Sequence, residues 1–326
     1  MNATLAHKSG TGATPWKSGA SADRVFHFIT ASAAWFVLIL LGAIALSMAW
    51  GGRLAFKTFG WRFITSSEWD AVAGHFGALV PIYGTIVTSA IALIIAVPVS
   101  IGIALFLTDI APRWSRGPIA IAIELLAAIP SIIYGMWGLF VFAPFMAANV
   151  EPWLNDHLGN KTLIGPLFSG PSIGIGMLTA GIVLGIMVIP FIAAVSRDVF
   201  NAVPTALKES AVALGSTRWE ILSRLTLPYT RSAIIGAVFL GLGRALGETM
   251  AVTFVLGNAH DLSASLLMPS NSIAAAIANE FTEADTDLYR SSLIALASLL
   301  FVVTLIVLTI AKLLLLRMNR QFGRTH

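Results

Sequence analysis

The stretch Leu79–Leu107 reads LVPIYGTIVTSAIALIIAVPVSIGIALFL and contains no Asp, Glu, Lys or Arg. A bilayer core about 30 Å thick is crossed by about 20 apolar residues in a helix, so this stretch is long enough to span a membrane. The composition of the whole chain agrees, since 57% of its 326 residues are hydrophobic and 11% are charged. A soluble domain carries about a quarter charged residues. The sequence therefore predicts an integral membrane protein.

Five other stretches have a similar character, and together they predict an all-α polytopic membrane protein with six transmembrane helices. Arg244 and Glu248 interrupt the fifth stretch, and Glu124 lies early in the third. The predicted spans are 25–50, 79–107, 118–146, 173–196, 230–256 and 291–312. They lie in a transmembrane domain, residues 23–317, which is flanked by a disordered cytoplasmic tail 1–22 and a cytoplasmic C-terminal tail 318–326.

The positions of Lys and Arg predict the orientation, because cytoplasmic loops carry an excess of these residues. The N-terminal region, the loop 109–117, the stretch 197–231 and the C-terminal region hold 14 of the 20 Lys and Arg. The opposite loops hold five, and Arg244 lies within a span. Both termini are therefore predicted to be cytoplasmic. This distribution accounts for the formal charge of +4, so no binding to nucleic acid is expected.

No motif in the sequence indicates that this chain catalyses a reaction by itself. The absence of Cys excludes disulfides, thiolate metal sites and cysteine nucleophiles. His75, His157 and His260 lie in separate predicted outer loops without the spacing of metal ligands, so no metal site is predicted. Neither a serine elbow nor a pair of catalytic carboxylates is recognisable. The sequence therefore predicts a protein that is not an enzyme.

The most informative stretch is the predicted cytoplasmic loop Pro204–Pro228, which reads PTALKESAVALGSTRWEILSRLTLP and is called the elbow below. Pro204 suits the start of a helix, and Gly215 suits the left-handed residue that ends one. Thr217 and Glu220 have the spacing of a capping box, which begins a second helix. The proline that closes the stretch is expected to limit this second helix. The loop thus predicts a rigid helix–turn–helix.

The elbow resembles the EAA loop of ABC importer permeases, whose pattern is roughly E-A-A-x3-G-x9-I-x-L-P. The spacing is intact, with a Ser in place of one Ala and a Leu in place of the Ile. The resemblance implies a coupling helix that docks in a groove of an ATPase subunit. The alternative is an amphipathic connector that matches by chance. The residues to which the resemblance assigns coupling are Glu209, Ser210, Ala211, Gly215, Leu225, Leu227 and Pro228.

The chain has no Gly-x4-Gly-Lys-Ser/Thr phosphate loop of its own. ATP hydrolysis of that type is therefore expected on a separate subunit. ATP and Mg²⁺ would bind to that ATPase, and no cofactor is expected in this chain.

An ionisable pair interrupts the fifth predicted span. Charged side chains inside a membrane are costly, so they indicate a functional site by default. Arg244 and Glu248 are four residues apart and are expected on one helix face, within reach of each other. The planar guanidinium of Arg matches an oxyanion through two parallel hydrogen bonds. The pair either lines a substrate path or fixes helix packing, and Glu124 is an alternative partner for Arg244.

Nearly the whole chain from the second span onward resembles the PstC-type permeases of phosphate ABC importers. The runs GRALGETMAV and MPSNSI are the most specific to that subfamily. The resemblance implies a type I importer permease (MetI-like) fold in the plasma (inner) membrane of a prokaryote, with inward transport of inorganic phosphate by alternating access. The residues predicted on the substrate path are Arg244, Glu248, Thr249, Ser131 and Tyr134. The stretches that carry the resemblance are Ile91–Leu107, Leu125–Phe142, Gly241–Val252 and Met268–Phe281.

The same resemblance implies partners in addition to the lipid bilayer. These are a second related permease (PstA-type), a dimer of ABC ATPases (PstB-type) and an extracytoplasmic phosphate-binding protein (PstS-type). A phosphate-sensing regulator is a further candidate.

Three alternatives stay open from the sequence. The cargo could be another oxyanion, such as molybdate or sulfate. An ion-coupled secondary transporter should show internal repeats with broken helices in both halves, and no convincing pair is visible. A sensor that anchors signalling proteins is compatible with transport.

The last predicted outer loop contains two features of interest. Ser270 or Asn271 is expected to cap a short helix, whose N-terminus either packs over the vestibule or binds an anion. An acidic run follows and is predicted to be a solvated face. Its members are Glu280, Glu283, Asp285 and Asp287.

Overall fold

The computed structural model describes residues 19–159 and 165–322. The helices are α1 (Gly19–Gly51), α2 (Arg53–Phe59), α3 (Arg62–Thr65), α4 (Leu79–Leu105), α5 (Arg113–Ala128), α6 (Ser131–Trp137), α7 (Ala143–Phe145), α8 (Glu151–Leu154), α9 (Met177–Asn201), α10 (Thr205–Ala213), α11 (Arg218–Glu220), α12 (Leu227–Leu246), α13 (Met250–Leu256), α14 (Ile273–Glu280) and α15 (Asp287–Phe322). Strands β1 (Trp69–Asp70) and β2 (His75–Phe76) pair antiparallel, with Trp69 opposite Phe76 and Asp70 opposite His75. Gly165–Leu167 form a 3₁₀ turn.

Wide π-type turns join several of these helices into longer ones. One such turn, Phe106–Ile110, extends α4. Others connect α6, α7 and α8 into one helix, Ser131–Gly159, and α11 to α12 through Ile221–Thr226.

In the described residues, six helices are long and apolar enough to cross a membrane. They are Asp23–Gly51, Leu79–Ile110, Ser131–Gly159, Met177–Asn201, Arg218–Leu246 and Asp287–Arg317. The predicted all-α architecture with six membrane helices is thus confirmed.

The chain divides into two compact units, with the boundary between Ser47 and Met48 inside α1. The first unit contains the apolar helix up to Ser47. The second contains all later elements, and its main core forms where α4, α6, α9 and α13 meet. The fully buried side chains of this core include Ala92, Ala96, Met177, Ala180, Val183, Leu184, Val188, Ile192, Ala251, Val255 and Leu256.

Small residues allow α4 and α9 to pack closely, as is common between membrane helices. A Cβ atom added to Gly181 of α9 would lie 2.6 Å from Cβ of Ile91 on α4. Ile91 is β-branched and stiff at χ1, so it cannot easily move aside. The hydroxyl of Ser100 adds a polar contact by donating to the carbonyl of Ile189 at 2.9 Å.

Gly181→Ala is therefore expected to lower the free energy of unfolding by about 1–3 kcal/mol through overpacking. The measurement is the thermal unfolding temperature of the purified protein in detergent. Gly102→Ala is the matched control, because Gly102 lies in α4 with no neighbour within 4 Å of an added Cβ. Equal unfolding temperatures for the two variants would contradict the predicted clash.

The third membrane helix differs from the predicted span 118–146. The segment breaks at Ile129–Pro130, so α5 is a separate helix and the long apolar helix runs from Ser131 to Gly159. Ile129 is extended, because a proline disfavours helical backbone in the residue before it, and Pro130 itself has a non-helical ψ of 137°. The hydroxyl of Tyr134 donates to the carbonyl of Leu126 at 2.9 Å. This hydrogen bond helps to satisfy the Leu126 carbonyl, whose usual helical partner would be the N–H that Pro130 lacks and which has no water to bind inside a membrane.

The other helix limits also differ from the predicted spans. Helix α9 begins at Met177 rather than near residue 173. In the loop before it, Oε2 of Glu151 accepts from the N–H of Gly174 at 2.8 Å. The fifth spanning helix begins at Arg218 and ends at Leu246, instead of covering 230–256.

The predicted tails overlap the first and last helices. Helix α1 already begins at Gly19, and α15 extends the sixth predicted span, 291–312, in both directions to Asp287–Phe322. Residues 19–22 of the predicted tail 1–22 thus belong to α1, and residues 1–18 lie outside the described residues. Of the tail 318–326, residues 323–326 lie outside them too.

Candidate functional site

The predicted elbow is present as two helices that meet at Gly215. Helix α10 follows Pro204, and Gly215 has a φ of 83°, the left-handed conformation that ends a helix. The next helix begins with a capping box. Thr217 Oγ1 accepts from the N–H of Glu220 at 3.3 Å, and Glu220 Oε2 accepts from the N–H of Thr217 at 2.9 Å. These features of the predicted elbow are confirmed.

The expectation that Pro228 limits the second helix is wrong. The helix that begins at Arg218 continues through Pro228 to Leu246. In a regular α-helix a proline loses one hydrogen bond and collides with the carbonyl four residues earlier. The π-type turns of Ile221–Thr226 come directly before and alter this carbonyl spacing, so the helix can pass the proline. The elbow is therefore continuous with the fifth spanning helix.

The residues assigned to coupling divide into exposed and partly buried ones. The exposed residues are Glu209, Ser210, Gly215 and Pro228, and the partly buried ones are Ala211, Leu225 and Leu227. Leu227 packs against a small apolar cluster on α4, α9 and α12. Helix α10 buries no side chain, and large apolar side chains around it are exposed. These are Leu207, Val212, Leu214 and Trp219. Such a surface is typical of a docking site for another protein.

The fifth spanning helix ends just before Glu248, and this break corrects the predicted pairing of Arg244 with Glu248. Arg244 lies in the last turn of α12, whereas Glu248 lies between α12 and α13. The two residues therefore do not share one helix face, and within the described residues no ion pair joins them. Glu248 Oε1 instead accepts from the N–H of Ala251 at 3.3 Å, which caps the start of α13.

The side chain of Arg244 is exposed and lies beside the core. Its guanidinium carbon is 5.8 Å from the ring centroid of Phe191 on α9, within the range of a cation–π contact. The alternative partner, Glu124, is engaged elsewhere, since its Oε1 accepts from Nη2 of Arg197 at 3.0 Å. Across the part of the chain that the structure describes, Arg244 forms no salt bridge.

The other predicted path residues lie near the two helix breaks. Tyr134 is buried and its hydroxyl closes the break after α5. Ser131 is the first residue of α6, directly after that break, and is half-buried. Thr249 is half-buried in the break between α12 and α13.

The helices that follow these two breaks pack against each other. A Cβ atom added to Gly135 of α6 would lie 3.0 Å from Cα of Ala251 on α13. The fold thus brings α6, with Ser131 and Tyr134, beside the helix that begins directly after Thr249.

Sequence reasoning missed a cluster around Glu280, called the outer cluster below. Glu280 Oε2 accepts from Trp69 Nε1 at 2.8 Å and from the hydroxyl of Tyr289 at 2.7 Å. Its Oε1 lies 2.9 Å from His260 Nε2, and the ring of His260 stacks on Trp69. No short spacing could have indicated this cluster, because its members come from distant segments. In the described ranges no group of three or more His, Asp or Glu could hold a metal.

The expected solvated acidic face is therefore wrong for Glu280, whose side chain is 15% exposed. It holds for the rest of the run, since Glu283, Asp285 and Asp287 are exposed. Burial alone would raise the pKa of Glu280, but the hydrogen bonds from His260 and Tyr289, the positive field of His260 and the hydrogen bond from Trp69 outweigh it. The pKa of Glu280 is lowered from its usual 4.5.

A lowered pKa in the folded state means that Glu280 contributes stability above its unfolded pKa, and that this contribution is lost as the pH falls through the folded pKa. Glu280→Gln is expected to lower the unfolding temperature at pH 7 and to flatten its dependence on pH below 4.5. Thermal unfolding in detergent between neutral and acid pH measures both effects. Glu283→Gln is the matched control at an exposed carboxylate. A Glu280→Gln profile parallel to the wild-type profile would contradict the argument.

The start of α14 is capped differently from the prediction, which named Ser270 or Asn271. Ser272 is the capping residue, with its hydroxyl accepting from the N–H of Ala275 at 3.2 Å. Thr85 Oγ1 of α4 accepts from the N–H of Ile273 at 3.0 Å. Side chains of the protein already satisfy these two N–H groups. The geometry therefore favours the prediction of a packing helix and disfavours the prediction of an anion site at its N-terminus.

Comparisons with known proteins agree with this architecture. Residues 96–320 match the family model described as "Binding-protein-dependent transport system inner membrane component". "Phosphate transport system permease protein PstC" of Xylella fastidiosa (strain Temecula1) is 61% identical over 304 residues, covering 93% of this chain and 94% of that protein. The protein of the same name from Mesorhizobium japonicum is 54% identical over 301 residues, covering 92% of each chain.

A solved structure shares the fold. It is the crystal structure of a bacterial ABC transporter involved in the import of the acidic polysaccharide alginate, which matches with a TM-score of 0.58 and 20% identity. The match covers 93% of this chain and 98% of that one. At this identity the likeness concerns the fold alone.

Proposed function

The chain belongs to the family of binding-protein-dependent transport system inner membrane components, and on this premise we propose that it carries inorganic phosphate inward as a permease subunit of an ATP-driven importer. It is a transport component and not an enzyme. The cargo is supported by the relatives named phosphate transport system permease protein, at 61% and 54% identity over nearly the whole chain. Transport would proceed by alternating access to the two sides of the membrane.

The observation that carries the proposal is the exposed guanidinium of Arg244 at a helix end within the membrane domain. A charged side chain in a membrane domain is costly to expose to lipid, so it is retained where it faces a polar path or a partner. The guanidinium offers a fork of donors that fits two phosphate oxygens. The ring of Phe191 lies at a cation–π distance of 5.8 Å from the guanidinium carbon.

The two helix breaks supply the surroundings of the path. Broken helices occur at membrane depth where backbone lines a cavity or a site. Arg244, Thr249 and Ser131 would meet the anion. Glu248 and Tyr134 would hold the breaks in shape, because their polar atoms already bond to the protein.

The elbow would transmit the movement of the ATPases. Its exposed Glu209 and apolar side chains would dock on an ATPase subunit that carries ATP and Mg²⁺. The elbow and both termini would then face the cytoplasm of a prokaryotic cell, across the plasma (inner) membrane. A second related permease would complete the path, an extracytoplasmic phosphate-binding protein would deliver the anion, and a phosphate-sensing regulator could join the assembly.

The test is uptake of radiolabelled phosphate by proteoliposomes that contain this chain with its partner permease, ATPases and binding protein. We expect uptake that requires ATP and the binding protein, and that unlabelled phosphate suppresses more strongly than molybdate or sulfate. Uptake without ATP would contradict an ATP-driven importer. Stronger suppression by molybdate or sulfate would replace the proposed cargo with that oxyanion.

A further inference from the structure

An ion pair links the first helix of the elbow to the second spanning helix. Nζ of Lys208, on α10, lies 2.9 Å from Oδ1 of Asp109, at the end of the helix that α4 begins. The two side chains are 24% and 28% exposed. Because protein covers most of both groups, water screens this pair less than an open surface pair.

The carboxylate of Asp109 lies beside the hydroxyl of Thr108. The oxygen of this hydroxyl, which has one proton, is 3.1 Å from Oδ2 of Asp109 and 3.1 Å from the carbonyl oxygen of Ala104. Thr108 and Asp109 belong to the π-type turn Phe106–Ile110, and such turns often mark functional positions in helices. Asp109 therefore places a carboxylate at the end of a spanning helix.

The position of Lys208 on α10 separates it from the exposed surface of the elbow. Successive residues of an α-helix point about 100° apart, and the neighbouring Glu209 is exposed whereas Lys208 is partly buried. Helix α10 buries none of its side chains. The contact with Asp109 therefore joins a helix that has little apolar packing of its own to the helix that α4 begins.

We propose that Lys208 and Asp109 are positioning residues that couple the elbow to the second spanning helix. A displacement of α10 by an ATPase would then shift α4 as well as the fifth spanning helix, which continues from the elbow. Because α4 packs on α9 in the core, the movement would reach the helices around the path. This inference rests on the proposed function and extends it to residues outside the EAA pattern.

The experiment compares Lys208→Ala, Asp109→Asn and the double variant in the complete importer in proteoliposomes. Phosphate uptake and ATP hydrolysis are measured in the same vesicles. We expect the ratio of uptake to hydrolysis to fall about five-fold or more in each single variant, the lower end of typical coupling effects. The double variant should be no worse than either single one, because two residues that act as a pair are not additive.

Lys312→Ala is the matched control, because Lys312 is exposed on α15, and its ratio should equal that of the wild type. An unchanged ratio in the single variants would overturn the proposal, and so would a common fall of uptake and hydrolysis that leaves the ratio constant. Additive losses in the double variant would also overturn it. If the wild type carries another oxyanion, the same ratio is measured with that oxyanion. Failure of the phosphate assignment and failure of this coupling contact are thus separate results.

Discussion

Replacing Arg244 by Gln is expected to reduce phosphate uptake by about 10- to 100-fold, because hydrogen bonds to charged groups are worth about 1.5–3 kcal/mol. Gln keeps a polar amide group but is shorter than Arg and loses the charge and the fork of donors. Arg244→Lys should give intermediate uptake, since it retains the charge without the fork. The measurement is the initial rate of radiolabelled phosphate uptake in cells or proteoliposomes.

The Arg244 substitution should leave assembly intact, because the side chain is exposed and forms no salt bridge within the described residues. Recovery of the complete complex after purification checks this point. Arg62→Gln is the matched control, at an exposed arginine of α3, and should transport normally. Normal uptake by Arg244→Gln would reduce Arg244 to a packing role and would move the anion's contacts to the partner permease.

Glu209→Ala is expected to uncouple ATP hydrolysis from transport. Glu209 is exposed on α10, so its removal should change the stability of this chain by no more than about 0.5 kcal/mol. Its loss would weaken docking on the ATPase, and uptake should fall about five-fold or more while the path and the permease fold persist. Uptake and ATP hydrolysis measured together check this expectation.

Glu283→Ala serves as the control for Glu209, since it removes an exposed carboxylate far from the elbow in sequence. It should transport like the wild type. Normal ATP-driven uptake by Glu209→Ala would contradict the assignment of the elbow as the docking site. A chain that fails to assemble would show instead that Glu209 stabilises the complex.

Local patterns predicted the parts of the structure that one segment decides alone. The number of spans follows from apolar length, because any helix that crosses a bilayer needs enough apolar residues. The elbow follows from the same kind of reasoning. Gly215 adopts the left-handed conformation, and Thr217 with Glu220 forms the capping box, because these motifs act within a few residues.

The breaks and ends of the helices were less predictable. Pro130 breaks its helix, whereas Pro98 and Pro190 lie inside α4 and α9 without ending them. The same residue type gives different results because the outcome depends on neighbours. Tyr134 satisfies a carbonyl at the break, and π-type turns let the fifth helix pass Pro228.

Apolar length and short motifs within the sequence alone determined the membrane class, the six helices and the elbow. Only the tertiary structure decided which charges meet. It pairs Glu124 with Arg197 and leaves Arg244 exposed beside Phe191. The physical reason is the distance along the sequence over which each effect acts. Apolar length and helix capping depend on residues within one segment. Ion pairs and buried hydrogen bonds depend on how segments far apart in the chain pack together.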